Sequence, residues 1–125
     1  PDWKVDFKNQ TYVFTYQEDY AVIKLTLSER KDLENALKTI PYIYYIRNFE
    51  VMNRETKKDP DKKSLMVEAT GIIENKNCGI LINIVKFKND DDIIIMLGYI
   101  DYTAYLTDFA LIEDIQRIMS TLLNR

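Results

Sequence analysis

The sequence contains no histidine, and its only cysteine is Cys78. Histidine is the usual general acid or base near neutral pH and the commonest metal ligand, so the chain cannot hold a Ser-His-Asp or Cys-His arrangement or a histidine-ligated zinc site. A single cysteine also excludes an internal disulfide and a cluster of thiolate ligands. We therefore expect no enzyme activity, no cofactor and no metal, although chemistry based on carboxylates or tyrosines stays open.

Long apolar runs and an excess of positive charge are also missing. The longest apolar stretch, Ile93–Ile100, is far shorter than the roughly 20 residues that cross a membrane, so no transmembrane segment is predicted. With 17 basic and 20 acidic side chains the net charge is −3. This charge argues against nucleic-acid binding, because phosphates require a basic surface. The 125 residues, 46% of them hydrophobic, fit a single domain covering residues 1–125.

The first half predicts three strands, a helix and a fourth strand. Strand patterns cover Trp3–Phe7, Tyr12–Tyr16 and Tyr20–Leu27. Ser28 predicts the helix start because its hydroxyl can accept a backbone N–H, and Pro41 predicts its end because proline lacks that N–H. The helix then covers residues 29–39. Strand composition follows over residues 42–52, and the polar residues 53–63 predict a hairpin loop.

The second half predicts three more strands and a long helix. The strands are residues 64–74, 80–88 and 93–99, separated by turns at 75–79 and 89–92. Ile93–Tyr99 is apolar at nearly every position, which predicts a central strand covered on both faces. Tyr105–Leu123 has the apolar spacing of a helix. Short hairpin links favour an antiparallel sheet of six to seven strands with two helices, an α+β fold.

Three features of the second half occur together: Gly71 in VEATGII, the hairpin GILINIVKFKNDDDIIIMLGY and the closing helix FALIEDIQRIMSTLL. In this order they resemble the end of PsbP-like domains, and Ile118–Leu122 resembles an Ile-x-x-Ser-(Leu/Phe) signature with one extra residue. The first half matches only in the order of its elements. The resemblance implies an α/β/α sandwich. PsbP-like proteins include photosystem II extrinsic subunits, a nuclear-transport accessory protein and bacterial lipoproteins, and they share no catalytic site, so the resemblance implies a fold rather than a reaction.

Three tyrosines directly after Pro41 are the first candidates for contact with a partner. Tyrosine is enriched at protein interfaces because its ring supplies contact area and its hydroxyl stays polar. In a strand, Tyr42 and Tyr44 would share one face and Tyr45 would point to the other. The alternative is that one face packs in the core and the other covers the surface.

A basic cluster that begins with Arg54, Lys57 and Lys58 is the second candidate. Acidic residues are interleaved with it, so its net positive charge is small. It is either a solvated loop or an electrostatic docking site for an acidic partner.

The acidic turn Asp90, Asp91 and Asp92 is the third candidate. Its carboxylates are potential Ca²⁺ ligands, but the spacing, glycine and distal glutamate of an EF-hand are missing. A solvated turn is the alternative, and whether the turn binds Ca²⁺ stays open.

The sequence therefore predicts a non-enzymatic protein-binding domain, the soluble part of an exported or lipid-anchored bacterial protein. The start at Pro1 favours a periplasmic or extracellular location, whereas an unpaired Cys78 favours a reducing compartment. The alternative is a cytoplasmic immunity or inhibitor protein that neutralises a basic toxin, which small size, negative charge and nine tyrosines favour.

Overall fold

One antiparallel sheet organises the chain. The computed structural model describes residues 3–8, 11–17, 20–28 and 32–123. Seven strands pair in the order β1-β2-β3-β7-β6-β5-β4. Their bounds are β1 (Trp3–Lys8), β2 (Thr11–Tyr16), β3 (Ala21–Ser28), β4 (Arg47–Lys58), β5 (Lys62–Ile73), β6 (Lys76–Phe87) and β7 (Ile93–Asp101). The predicted α+β fold on an antiparallel sheet of six to seven strands is confirmed.

Helices cover both faces of this sheet. In the described part of the chain they are α1 (Leu33–Ile43), α2 (Tyr102–Thr107) and α3 (Phe109–Leu123), one more than predicted. We call the two sides of the sheet the α1 face and the α3 face. Residues of α1 and α3 form separate apolar clusters with the sheet, one on each face. The molecule is therefore an α/β/α sandwich, and each fully buried isoleucine or leucine contributes roughly 1.5–3 kcal/mol to it.

Strand β7 is the central strand, as the sequence predicted. Its Ile95 and Leu97 are buried on the α1 face, whereas Met96 and Ile100 are buried on the α3 face. Because both faces are covered, the usual alternation of apolar and polar residues disappears and the strand reads as a continuous apolar run.

Two glycines let helical residues approach the α3 face closely. A Cβ atom on Gly98 would lie 2.8 Å from Cγ2 of Ile115 in α3, which is too close for packed carbon atoms. A Cβ atom on Gly79 would overlap the ring of Tyr105 in α2. From this position over Gly79, the Tyr105 hydroxyl donates a hydrogen bond of 2.6 Å to Glu68 in β5.

The start of α1 differs from the prediction. Ser28 is not the N-cap; it ends β3 and is buried. Asp32 caps the helix, and its carboxylate accepts a hydrogen bond from the Glu34 N–H. Residues 29–31 of the predicted helix lie outside the described residues. Both Ser28 and Asp32 are good capping residues. Because β3 pairs with β7 through Ser28, Ser28 belongs to the strand and the helix is capped by Asp32 instead.

The end of α1 also differs, because Pro41 lies inside the helix. Proline removes one backbone hydrogen bond, yet its fixed φ suits a helix. Ile40 and Tyr44 are both buried against the sheet, and this packing holds the last turn in place. The predicted strand from Tyr42 is therefore wrong at its start, since β4 begins only at Arg47.

Two predicted turns are shorter than expected. The segment 53–63 is not a loop: β4 continues to Lys58, and β5 begins at Lys62. As an edge strand exposed along most of its length, β4 has the polar composition of a loop. The turn between β5 and β6 consists of Glu74 and Asn75, both with positive φ, as in two-residue hairpins. Cys78 therefore lies in β6 rather than in a turn.

The predicted helix 105–123 is interrupted at Asp108. The Asp108 N–H bonds the Ala104 carbonyl and ends α2, while its carboxylate accepts a hydrogen bond of 3.2 Å from the Leu111 N–H and starts α3. Residues 105–107 are helical within α2 and residues 109–123 within α3, so the prediction is wrong only in joining them into one continuous helix. Among the described residues, no helix has the length and apolarity needed to cross a membrane.

Gly79→Ala is expected to lower the free energy of unfolding by about 1–3 kcal/mol, because the new methyl group displaces the Tyr105 ring. In a Tyr105→Gly background, which removes both the ring and the Tyr105 Cβ atom that would lie 2.6 Å away, the same substitution should cost less than about 0.5 kcal/mol. Urea unfolding followed by circular dichroism measures both values. An equal cost in the two backgrounds would contradict the contact.

Candidate functional site

The predicted contact residues lie at two opposite ends of the sheet. The start of α1 shares a cleft with the β4–β5 and β6–β7 turns, whereas the segment after α1 contacts the β5–β6 turn, where Arg47 donates a hydrogen bond of 3.0 Å to Asn75. Tyr42 and Tyr45 lie at the second end. Among the charged candidates, Arg54 lies midway along β4 and the others lie toward the first end, so the structure does not bring the tyrosines and the charges together.

Tyr42 and Tyr45 form an exposed projection, which we call the tyrosine tip. Their side chains are 81% and 85% exposed. Between them Tyr44 is buried, and its hydroxyl donates a hydrogen bond of 2.8 Å to Thr26 in β3. Tyr44 therefore belongs to the core and not to a contact surface. Tyr45 has a φ of 55°, a left-handed conformation that is rare for a large side chain.

The charged candidates are spread from the middle of β4 to the β6–β7 turn. Arg54 forms an ion pair with Glu34 of α1, and Lys57 and Lys58 end the exposed strand β4. Asp90, Asp91 and Asp92 are exposed in the β6–β7 turn, where the Lys86 ammonium donates a hydrogen bond of 3.0 Å to the Asp90 carbonyl. Among the described residues, no three acidic or cysteine side chains are arranged to hold a metal ion.

A surface that the sequence patterns did not single out is the apolar face, which we define as Val5, Phe7, Tyr12 and Leu27. All four side chains are exposed on the α3 face of β1–β3, Val5 and Leu27 at 61% and 60%. In register, Phe7 pairs with Tyr12. Seven strands span roughly 29 Å and a helix covers only about 10 Å, so α3 cannot cover the whole face. In the sequence, the alternation of large apolar residues in β1 and β2 could have indicated this surface.

A polar cleft of about 350 Å³ lies on the other side of α3, between this helix and strands β4–β6. We call it the α3 cleft. Its wall includes Glu55, Glu68 and Asn83 from the sheet, with Gln116 and Ser120 from α3. None of these residues was a candidate in the sequence. In the sequence, the feature that could have indicated this cleft is Asn83, the only polar residue in the apolar run 80–85.

Half-buried Tyr105 and buried Cys78 have altered acidity. Burial, followed by the hydrogen bond to Glu68, raises the pKa of Tyr105 to about 12. Burial also raises the pKa of the Cys78 thiol, so this thiol stays protonated near neutral pH and is a poor nucleophile. Cys78 is therefore a structural residue of β6.

Comparison with known proteins supports the fold. A scan of protein-family models finds no match, and a sequence search of curated proteins finds none. The structure is similar to cyanobacterial PsbP (CyanoP) from Synechocystis sp. PCC 6803, with a TM-score of 0.65, 14% identity, and coverage of 93% of this chain and 79% of that chain. It is also similar to PA94 from Pseudomonas aeruginosa, a protein of unknown function, with a TM-score of 0.54, 6% identity, and coverage of 93% and 95%. The chain has a PsbP-like fold, which confirms the resemblance seen in its second half.

Tyr44 is expected to make stability fall at alkaline pH. Burial raises its pKa to about 12 in the folded chain, and the hydrogen bond to Thr26 opposes part of that rise. Because an unfolded tyrosine ionises near pH 10, this stabilisation is complete below pH 10 and is lost toward pH 12, about 2–3 kcal/mol in all. Tyr44→Phe should flatten the fall in urea unfolding measured from pH 9 to 12, whereas exposed Tyr42→Phe should not. Equal slopes for the two variants would contradict the assignment.

Tyr45→Asn is expected to raise the free energy of unfolding by about 0.5–1 kcal/mol. Asparagine adopts the left-handed conformation more readily than tyrosine, and the Tyr45 ring has little packing to lose. Tyr42→Asn, at an exposed position inside α1, is the matched control and should not stabilise. Thermal unfolding of both variants tests this, and a loss of more than 1 kcal/mol for Tyr45→Asn would show that the ring is packed.

Proposed function

We propose that the chain is a non-enzymatic domain that binds another protein through the apolar face. The observation that carries the proposal is the exposure of Val5, Phe7, Tyr12 and Leu27 on one side of β1–β3. Half-buried Phe14, Leu25 and Ile94 lie between and beside them on the same face. Single exposed apolar residues are common, but contiguous apolar areas on soluble proteins mark interaction surfaces. The absence of histidine supports binding rather than catalysis.

The edge of the sheet beside the apolar face indicates the kind of partner. No described strand pairs with the outer side of β1, so its backbone N–H and C=O groups are available there. Strand β1 also carries Lys4, Asp6 and Lys8, but all three lie on the face opposite Val5 and Phe7. The opposite edge, β4, has charges on both faces, among them Arg54, Lys57 and Lys58, and such charges oppose the addition of a strand. An extended segment with alternating apolar residues fits β1, where it would extend the sheet and contact Val5 and Phe7.

Partner contact through the tyrosine tip, partner contact through the charged candidates, and the location of the protein in the cell all remain predictions from the sequence. Export or lipid anchoring predicts a signal sequence or lipobox in the gene immediately upstream of Pro1. The alternative, an inhibitor of a basic toxin, predicts a toxin gene nearby and loss of toxin activity on mixing. Reading the gene with its neighbours separates the two.

A photo-cross-linking amino acid at position 12 tests the protein-binding proposal in the native host. We expect one discrete adduct from position 12 and none from position 56, because Thr56 is exposed on the opposite edge strand. The purified partner should then bind Phe7→Asp at least 100-fold more weakly, whereas Thr56→Asp, which adds the same charge, should bind normally.

Two outcomes would overturn the proposal. The first is equal affinity of the purified partner for Phe7→Asp and Thr56→Asp. The second is an adduct consisting of two copies of this chain, which would assign the apolar face to self-association.

A further inference from the structure

The α3 cleft contains a buried polar side chain without a partner. Asn83 is only 8% exposed and lines the cleft. Its neighbours in register are Met66 and Met96, which offer no strong hydrogen-bonding group. The Asn83 side chain makes no hydrogen bond to any residue in the described part of the chain. Among the described residues, no buried side-chain nitrogen or oxygen atom lacks a hydrogen-bond partner, so the Asn83 amide group opens onto the cleft, where a ligand can replace water as its partner.

Two carboxylates give the cleft its charge. Glu68 is half-buried, and the Tyr105 hydroxyl bonds its Oε2 atom at 2.6 Å. Its Oε1 atom accepts no hydrogen bond from a described side chain. Glu55 lies on the next strand of the same face, in register with Met66. Tyr105 therefore fixes the orientation of one carboxylate while leaving an oxygen of that carboxylate available.

No cationic side chain neutralises this charge from within the cleft. Arg54 borders the cleft, but it pairs in register with Val67 on the α1 face, where its guanidinium bonds Glu34. Lys57, two residues beyond Glu55, forms no ion pair with a described residue and ends near the tip of β4. The lining thus favours a cation and disfavours an anion.

The remaining walls are apolar or carry carbonyl groups. Met66, Leu81 and Met119 line the cleft, and thioethers adapt well to flexible aliphatic chains. Ser120 belongs to the last turn of α3, where the backbone carbonyls make the helix end partly negative. The cleft therefore combines a surface for a short methylene chain with acceptors for several N–H groups.

We infer that the α3 cleft binds an alkylammonium or guanidinium group, with Glu68 and the Asn83 side-chain carbonyl as hydrogen-bond acceptors. Such a group is carried by a lysine or arginine side chain of a protein and by a free polyamine. This inference is independent of the proposed protein contact, because the cleft and the apolar face lie on opposite sides of α3.

A ¹H–¹⁵N NMR titration of the whole chain with N-acetyl-lysine amide tests the inference. We expect saturable shifts of the Asn83 side-chain NH₂ signals and of the Glu68 and Tyr105 backbone amides. N-acetyl-norleucine amide, which has the methylene chain without the ammonium group, should cause none of these shifts. Saturable binding of both compounds would show an apolar pocket and overturn the inference.

Charge-matched variants make the test specific to the cleft. Glu68→Gln keeps an acceptor for Tyr105 but removes the charge, and it should weaken binding at least tenfold. Asp91→Asn removes the same charge from the exposed β6–β7 turn and should leave the affinity unchanged. An unchanged affinity for Glu68→Gln would overturn the inference, and retained thermal stability of this variant would confirm that the loss is not due to unfolding.

Two further ligands distinguish the source of the cation. Tighter binding of spermidine than of a lysine-containing peptide would support a free polyamine as the ligand. Tighter binding of the peptide would support a basic side chain of a protein. Failure of both, together with failure of N-acetyl-lysine amide, would overturn the inference while leaving the apolar face untested by these titrations.

Discussion

The burial of β7 on both faces is the constraint on which the rest of the structure depends. Ile95 and Leu97 require an apolar cover on one side, and Met96 and Ile100 require one on the other. A sheet with two apolar faces is stable only as the middle layer of a sandwich, so α1 and α3 must pack on opposite sides. Each helix covers the centre of the sheet and leaves the outer strands open. The apolar face and the α3 cleft are the parts of one sheet face that lie beyond the width of α3.

The sequence predicted the elements well and their ends less well. Ile93–Tyr99 is unambiguous because a fully apolar run with β-branched residues is typical of a central strand. The predicted end of α1 was wrong because Pro41 was judged by its local effect on the backbone. The burial of Tyr44 outweighs that effect, and it depends on a sheet that is not visible in the sequence. The exposed strand β4 looked like a loop for the same reason. Its strand conformation comes from pairing with β5, and its own residues show little alternation.

The candidate surfaces depended even more on tertiary structure. Clusters of charged residues and tyrosines are visible directly in the sequence. The structure nevertheless separates the two kinds of cluster and buries Tyr44. The α3 cleft arises from residues far apart in the sequence. One cross-strand row runs beneath α3 from the polar cleft to the apolar face, through Glu55, Met66, Asn83, Met96, Leu25, Tyr12 and Phe7. Only the position of α3 gives the two halves of this row opposite character.

The two edges of the sheet also determine how far an assembly can grow. Strand β4 carries charges on both faces of an exposed edge, while β1 keeps its charges on one face and places Val5 and Phe7 together on the other. A sheet that is receptive at both edges can add copies without limit and form fibres. The proposed addition of a strand at β1 would therefore have no counterpart at β4. The complex expected from that proposal contains one chain and one added segment.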